Sequence, residues 1–156
     1  MFRPLIGLTM AQLDALATHC RTESGRGYMT WRLWGHGPPL VLIHGGSGTW
    51  RHWIRNIFPL GHYFSVLAPD LPGFGDSDLP PGVRTVEELV DITCDGLDLI
   101  VDPPKPVRLA GFSFGGIVAG LVAARLGPRV PTLVLCGPNG LGIPSAPRPE
   151  LERIPP

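Results

Sequence analysis

Residues 109–119 read LAGFSFGGIVA. A short apolar run starting at Val107 leads into Gly-Phe-Ser-Phe-Gly-Gly (111–116), and the small, apolar stretch GGIVAGLVAARL (115–126) follows at once. The five residues 111–115 fit G-x-S-x-G, and their setting between a strand-like and a helix-like segment is the context of a nucleophile elbow. Such a turn holds its serine in a strained backbone conformation with the hydroxyl projecting. Side chains at 111 and 115 would collide with neighbouring backbone, and glycine has none. Gly116 is expected to let the helix pack close to the sheet. The new helix N-terminus puts a positive dipole end beneath Ser113, where it favours developing negative charge.

Working outward, other short apolar runs bounded by turn residues predict further strands. PLVLIHGG (39–46), FSVLAPD (64–70), VRLAGF (107–112) and TLVLCG (132–137) have the continuous apolar character of strands buried on both faces. YMTWRLW (28–34) follows the turn-like SGRG and pairs as a hairpin with HCRTE before it. Between strands, Trp50, Trp53, Ile54 and Ile57 mark one face of a helix. Thr85 and Glu88 have capping-box spacing ahead of an apolar stripe of Val86, Leu89, Val90, Leu97 and Val101. Pro103 and Pro104 stop that helix, and Gly127-Pro128 end the next. Strands alternating with helices imply an α/β fold, a mostly parallel sheet with helices on both faces. No internal repeat is present.

The chain of 156 residues is long enough for one domain with a sizeable core. Thirteen basic residues balance thirteen acidic ones, which argues against nucleic acid or an anionic membrane as partner. No run approaches the ~18 to 20 apolar residues of a membrane span. Near the start, Met10, Leu13 and Ala17 fall at helical spacing and Asp14 interrupts the apolar run, which favours a surface helix over a signal peptide. The three cysteines, Cys20, Cys94 and Cys136, are far apart with no C-x-x-C pair. A disulfide framework or zinc site does not fit that spacing, and a reducing, cytoplasmic setting does.

Acyl transfer needs backbone N–H donors for an oxyanion. Phe114, directly after the serine, supplies one. HGGSG (44–48), a glycine-rich turn after an earlier strand, supplies the other, from Gly46 with Ser47 as the neighbouring candidate. With these residues in place, the chain resembles the α/β-hydrolase family. LVLIHGGSG, VLAPDLPGFGDSD and LAGFSFGGIVA occur in that family's order, over about residues 28 to 140. The pattern is similar to its cofactor-free branch, which includes carboxylesterases, epoxide hydrolases and meta-cleavage-product C–C hydrolases. A serine at 113 argues against the epoxide hydrolases, which use aspartate there. The resemblance implies an ester, thioester or C–C ketone bond of a small apolar molecule as substrate, with no metal and no organic cofactor. An acyltransferase or perhydrolase on the same scaffold, and a non-catalytic binding protein of the same fold, remain open alternatives.

One part of the family pattern is missing. The family's triad runs serine, then an acid, then histidine, yet no aspartate or histidine follows Ser113, and the only later acids are Glu150 and Glu152. All five histidines (His19, His36, His44, His52, His62) lie upstream. His44 is nearest to the predicted site, but the resemblance implies a structural role there. The expectation is a hydrolase core truncated after about the sixth strand, with residues 1–140 forming its N-terminal part and 141–156 a poorly ordered start of a lid or linker. A lid and two further strand–helix units amount to on the order of a hundred residues. Without them TLVLC is an uncovered apolar edge, and the isolated chain is expected to be poorly soluble and close to inactive.

Less specific readings apply to the same residues. Ser113 has the residue type of an ordinary helix N-cap, and HGGSG could cradle a phosphate, though it lacks the G-K-[ST] and G-x-G-x-x-G signatures. Asp70 and the glycines near it fit turn formation better than catalysis. Trp50 and Trp53 read as core, and Arg51 and His52 as solvated face. Phe112 and Phe114 either line an acyl pocket or pack, and composition alone does not separate these.

Overall fold

The computed structural model describes residues 8–138 and 140. The proposed lid or linker segment, 141–156, therefore lies outside the described residues. Six strands form one sheet: β1 (Thr18–Ser24), β2 (Gly27–Trp34), β3 (Pro39–Ile43), β4 (Ser65–Pro69), β5 (Arg108–Phe112) and β6 (Thr132–Cys136), in spatial order β1-β2-β4-β3-β5-β6. The β1–β2 hairpin is antiparallel, with Thr18 opposite Leu33, and β2 also runs antiparallel to β4. The β3–β4, β3–β5 and β5–β6 pairs are parallel. All six strands expected from the sequence are present, and the sheet is mostly parallel as expected.

Alternation along β3 explains why its run is apolar throughout. Val41 and Ile43 face a cluster containing Leu67, Leu109, Val118 and Val122, while Leu40 and Leu42 face a second cluster with Trp34, Trp50, Trp53 and Ile57. Side chains of period two on a sheet covered on both sides leave no position for a polar residue. The first cluster is closed by helices α3 (Val86–Ile100) and α4 (Phe114–Leu126). The second is closed by α1 (Met10–Ala15), a 3-10 turn over Trp50–Trp53, and α2 (Ile54–Leu60). Thr85 and Glu88 make the capping box expected of α3. No described helix is long and apolar enough to cross a membrane.

Two element-level expectations are corrected. The helix expected from Trp50 begins as a 3-10 turn, in which Thr49 caps the N–H of Arg51. The tighter wind buries Trp50, Trp53 and Ile57 and leaves Ile54 at 40% exposure, off the apolar face it was assigned to. Likewise, α1 ends at Ala15, before Ala17, and of its predicted stripe Leu13 is buried while Met10 is exposed.

Strand order places the site. The chain leaves β3 for β4 on one side and later returns, through α3, to β5 on the other side of β3. In open parallel sheets, ligand crevices form beyond the carboxyl ends of strands where the order reverses in this way. Ile43 pairs with Gly111 across that junction, so the turns after β3 and β5 emerge side by side.

Candidate active site

Ser113 occupies the step from β5 to α4 with φ 53° and ψ −119°, a left-handed conformation rare outside glycine. Its side chain makes no capping hydrogen bond. An ordinary N-cap serine is extended and accepts a bond from the helix's first turn, so the capping reading does not describe this residue. The turn is held by backbone: Ser113 N–H donates to the carbonyl of Cys136 on β6 (2.9 Å), and Gly116 N–H donates to the carbonyl of Ser113 (2.9 Å).

The flanking glycines are required by contact. A Cβ at Gly111 would stand 2.2 Å from the carbonyl oxygen of Gly115, and one at Gly115 would stand 2.2 Å from that of His44. Gly115, more than Gly116, is thus what brings α4 down on the end of β3. The Cβ of a residue at 116 would instead meet the Pro138 side chain at 2.8 Å.

Opposite the serine, residues 45–48 form a turn closed by Gly48 N–H donating to the Gly45 carbonyl (3.2 Å), with Ser47 at φ 55°. Among the described residues, no acceptor takes the N–H of Gly46 or of Ser47. Phe114 is the first residue of α4, where the N–H groups have no intrahelical acceptor. A Cβ on Gly46 would lie 3.5 Å from that of Phe114, so the two predicted donors sit on abutting segments. The aromatic pair divides. Phe112 is 43% exposed, with its ring 3.0 Å from where a Gly45 Cβ would be, whereas Phe114 is half-buried and packs on the core.

His44 is fully buried and committed to the backbone. Its Nε2 accepts from Leu71 N–H (2.9 Å), which leaves the proton on Nδ1, where it donates to the Gly45 carbonyl (2.8 Å). Burial pushes its pKa down, so the ring stays neutral. Neither nitrogen is free to take a proton from Ser113, in line with the structural role the resemblance implied.

Two features were not read from the sequence. His52, expected on a solvated face, is exposed but folds back so that its Nδ1 accepts the N–H of Gly45 (3.1 Å). Asp70, read as a turn former, is 1% exposed at the end of β4 and organises three segments. Its Oδ1 accepts from Trp50 N–H (2.8 Å), and its Oδ2 from Asp76 N–H (3.0 Å) and from Arg32 (3.0 Å). Arg32, buried on β2, also binds Asp14 (2.6 Å) and Asp76. A buried guanidinium shared by three carboxylates is compensated charge, with each of its three nitrogens already bound to a carboxylate. An arginine inside a strand, in the same chain as a strand-end aspartate, was the only sequence signal for this hub.

Ser113 strained at a strand–helix step, glycines admitting the close approach, and a donor-bearing turn beside it together match one scaffold. The family model described as "Alpha/beta hydrolase family" matches residues 40–156. The chain belongs to the alpha/beta hydrolase family. Among relatives of this alpha/beta hydrolase, a pimeloyl-[acyl-carrier protein] methyl ester esterase from Vibrio campbellii is 35% identical over 105 residues, covering 67% of this chain and 38% of that protein. A 2-hydroxy-6-oxo-2,4-heptadienoate hydrolase from Pseudomonas putida is 38% identical over 112 residues, covering 69% of this chain and 40% of that protein. Among solved structures, the epoxide hydrolase CorEH matches with a TM-score of 0.70 and 30% identity, over 76% of this chain and 41% of that one. The chain thus spans about two fifths of the length of the relatives it matches.

Proposed function

We propose that the complete protein is a serine hydrolase that cleaves an ester, thioester or C–C ketone bond of a small apolar substrate through an acyl-enzyme on Ser113. The carrying observation is the strained, uncapped Ser113 beside a turn with unpartnered N–H groups. A general-base histidine takes the hydroxyl proton while Oγ bonds to the substrate carbonyl carbon. The N–H groups of Gly46 and Phe114, with Ser47 as neighbouring candidate, hold the resulting oxyanion. Its collapse breaks the bond to the leaving group, which departs with the proton, and water then hydrolyses the acyl-enzyme. Phe112, exposed at the site, lines the acyl side. The scheme uses no metal or organic cofactor, and the cysteine pattern suits a cytoplasmic setting.

In this reading residues 1–140 are the N-terminal part of the hydrolase core and 141–156 open a lid or linker. On that reading the base and its acid partner come from outside the described residues: His44 is engaged on both nitrogens, and the His52 Nδ1 is taken up by the Gly45 N–H. The same observation favours one rival, a hydrolase-like binding protein without a working triad. An acyltransferase or perhydrolase would share Ser113 and differ in product.

The test is turnover of short-chain p-nitrophenyl esters by the complete protein beside its Ser113→Ala variant. Hydrolysis with a burst of one p-nitrophenol per chain, and a loss of about 10⁴-fold or more in kcat on removing the hydroxyl, supports the proposal. Binding of the ester without turnover would favour the rival.

A further inference from the structure

Two of the glycines in the 44–48 turn answer to two side chains. A Cβ on Gly45 would press on the Phe112 ring at 3.0 Å, and one on Gly48 would overlap the His52 ring at 2.0 Å. The two rings also meet each other: His52 stands edge-on to Phe112, with centroids 5.5 Å apart and planes at 87°. The Phe112 ring belongs to the residue before Ser113, and the His52 Nδ1 accepts the N–H of the residue before Gly46. His52 therefore bridges the two turns whose spacing sets where an oxyanion would lie.

We propose that His52 is a positioning residue for the oxyanion turn, fixing the His44–Gly45 peptide at the turn's entry through Nδ1 and setting the turn's distance from the nucleophile turn through Phe112. The idea rests on the acyl-transfer reading above, and it assigns His52 no proton transfer. Accepting at Nδ1 puts the neutral ring's proton on Nε2. With that acceptor lost, the Gly45 N–H has no partner among the described residues. The Gly45 carbonyl keeps its bonds from His44 Nδ1 and Gly48 N–H, but the peptide leading into the turn is no longer held and the Gly46 N–H shifts with it. Misdirecting one oxyanion donor weakens transition-state binding far more than ground-state binding.

The test uses the complete protein with His52→Leu, which keeps bulk and loses the acceptor, and His52→Asn, whose Oδ1 hangs from Cγ as Nδ1 does. For p-nitrophenyl butyrate, His52→Leu is expected to lower kcat by about 10- to 100-fold, within the effect of removing an oxyanion donor, with KM little changed. His52→Asn is expected to restore most of that loss. Amide hydrogen exchange at Gly45, followed by NMR, is expected to speed up in His52→Leu and not in His52→Asn. Unchanged kcat in His52→Leu, or an equal fall in both variants, overturns the proposal. If the complete protein hydrolyses no ester, the acyl-transfer reading fails by itself. The Gly45 exchange rates still decide the brace: faster exchange confined to His52→Leu supports it, and equal rates in all three proteins overturn it.

Discussion

At the scale of single residues, the site depends on what is absent from four side chains. Gly115 is the most demanding, since any Cβ there runs into the His44 carbonyl oxygen, which is backbone and cannot swing aside. Gly115→Ala is expected to cost about 3 kcal/mol in urea denaturation of the complete protein, whether or not catalysis is measured. Gly48 makes the contrasting case, because its obstacle is the movable ring of His52. Gly48→Ala is expected to be damaging with His52 present and nearly neutral in a His52→Ala background, which removes the ring, a coupling that a double-mutant cycle in kcat would read. Additive effects would mean the ring does not press on the turn. The thiol of Cys94 is a third residue-level case. Burial pushes it up to about 11, so the thiolate that reacts with disulfide reagents is scarce at pH 8. Ellman's reagent is expected to modify Cys94 only after unfolding.

At the scale of elements, the Arg32 hub ties β2 to the end of β4, the Asp76 loop and α1. Its hydrogen bond from Arg32 holds Asp76 below the usual carboxylate range. A depressed folded value means Asp76 binds its proton less readily in the folded than in the unfolded chain. It therefore contributes stability above the ordinary aspartate range that fades as pH falls through it toward the folded value. Asp76→Asn is expected to lower stability at neutral pH and to flatten its decline between about pH 5 and 3, as thermal unfolding across that range would record. Asp76 is largely exposed, which keeps the effect small. The elements themselves were largely legible. Continuous apolar runs with turn punctuation located β3 to β6, strand formers after a turn located β2 with β1 as its hairpin partner, and T-x-x-E located the start of α3. What escaped the sequence were contacts made across chain distance. Nothing near Arg32 announces Asp70, 38 residues away, and nothing near His52 announces that its ring turns back to Gly45. The 3-10 start at Trp50 escaped for a local reason: apolar spacing of three and four fits both helix types until the wind is known.

At the scale of the whole molecule, the two edges of the sheet differ in kind. The edge strand β1 is mostly polar, THCRTES, whereas the edge strand β6 is apolar and exposed, with Leu133 at 38%, Val134 at 48% and Leu135 at 37% exposure. Such a strand pairs readily with another copy of itself. The 156-residue chain produced alone is expected to self-associate, and Val134→Lys to shift it toward monomer in light scattering. A clean monomer without the substitution would show that the edge is covered. The same strand holds the turn at Ser113, through the bond from Ser113 N–H to the Cys136 carbonyl, so the edge and the candidate site are joined directly. The measurement that bears most directly on the site is labelling of the complete protein with a fluorophosphonate probe, read by peptide mass spectrometry beside Ser113→Ala. Modification at Ser113, lost in the alanine variant, is the predicted result. An intact, folded protein that takes up no probe, or takes it up equally in Ser113→Ala, would contradict a nucleophilic role for this serine.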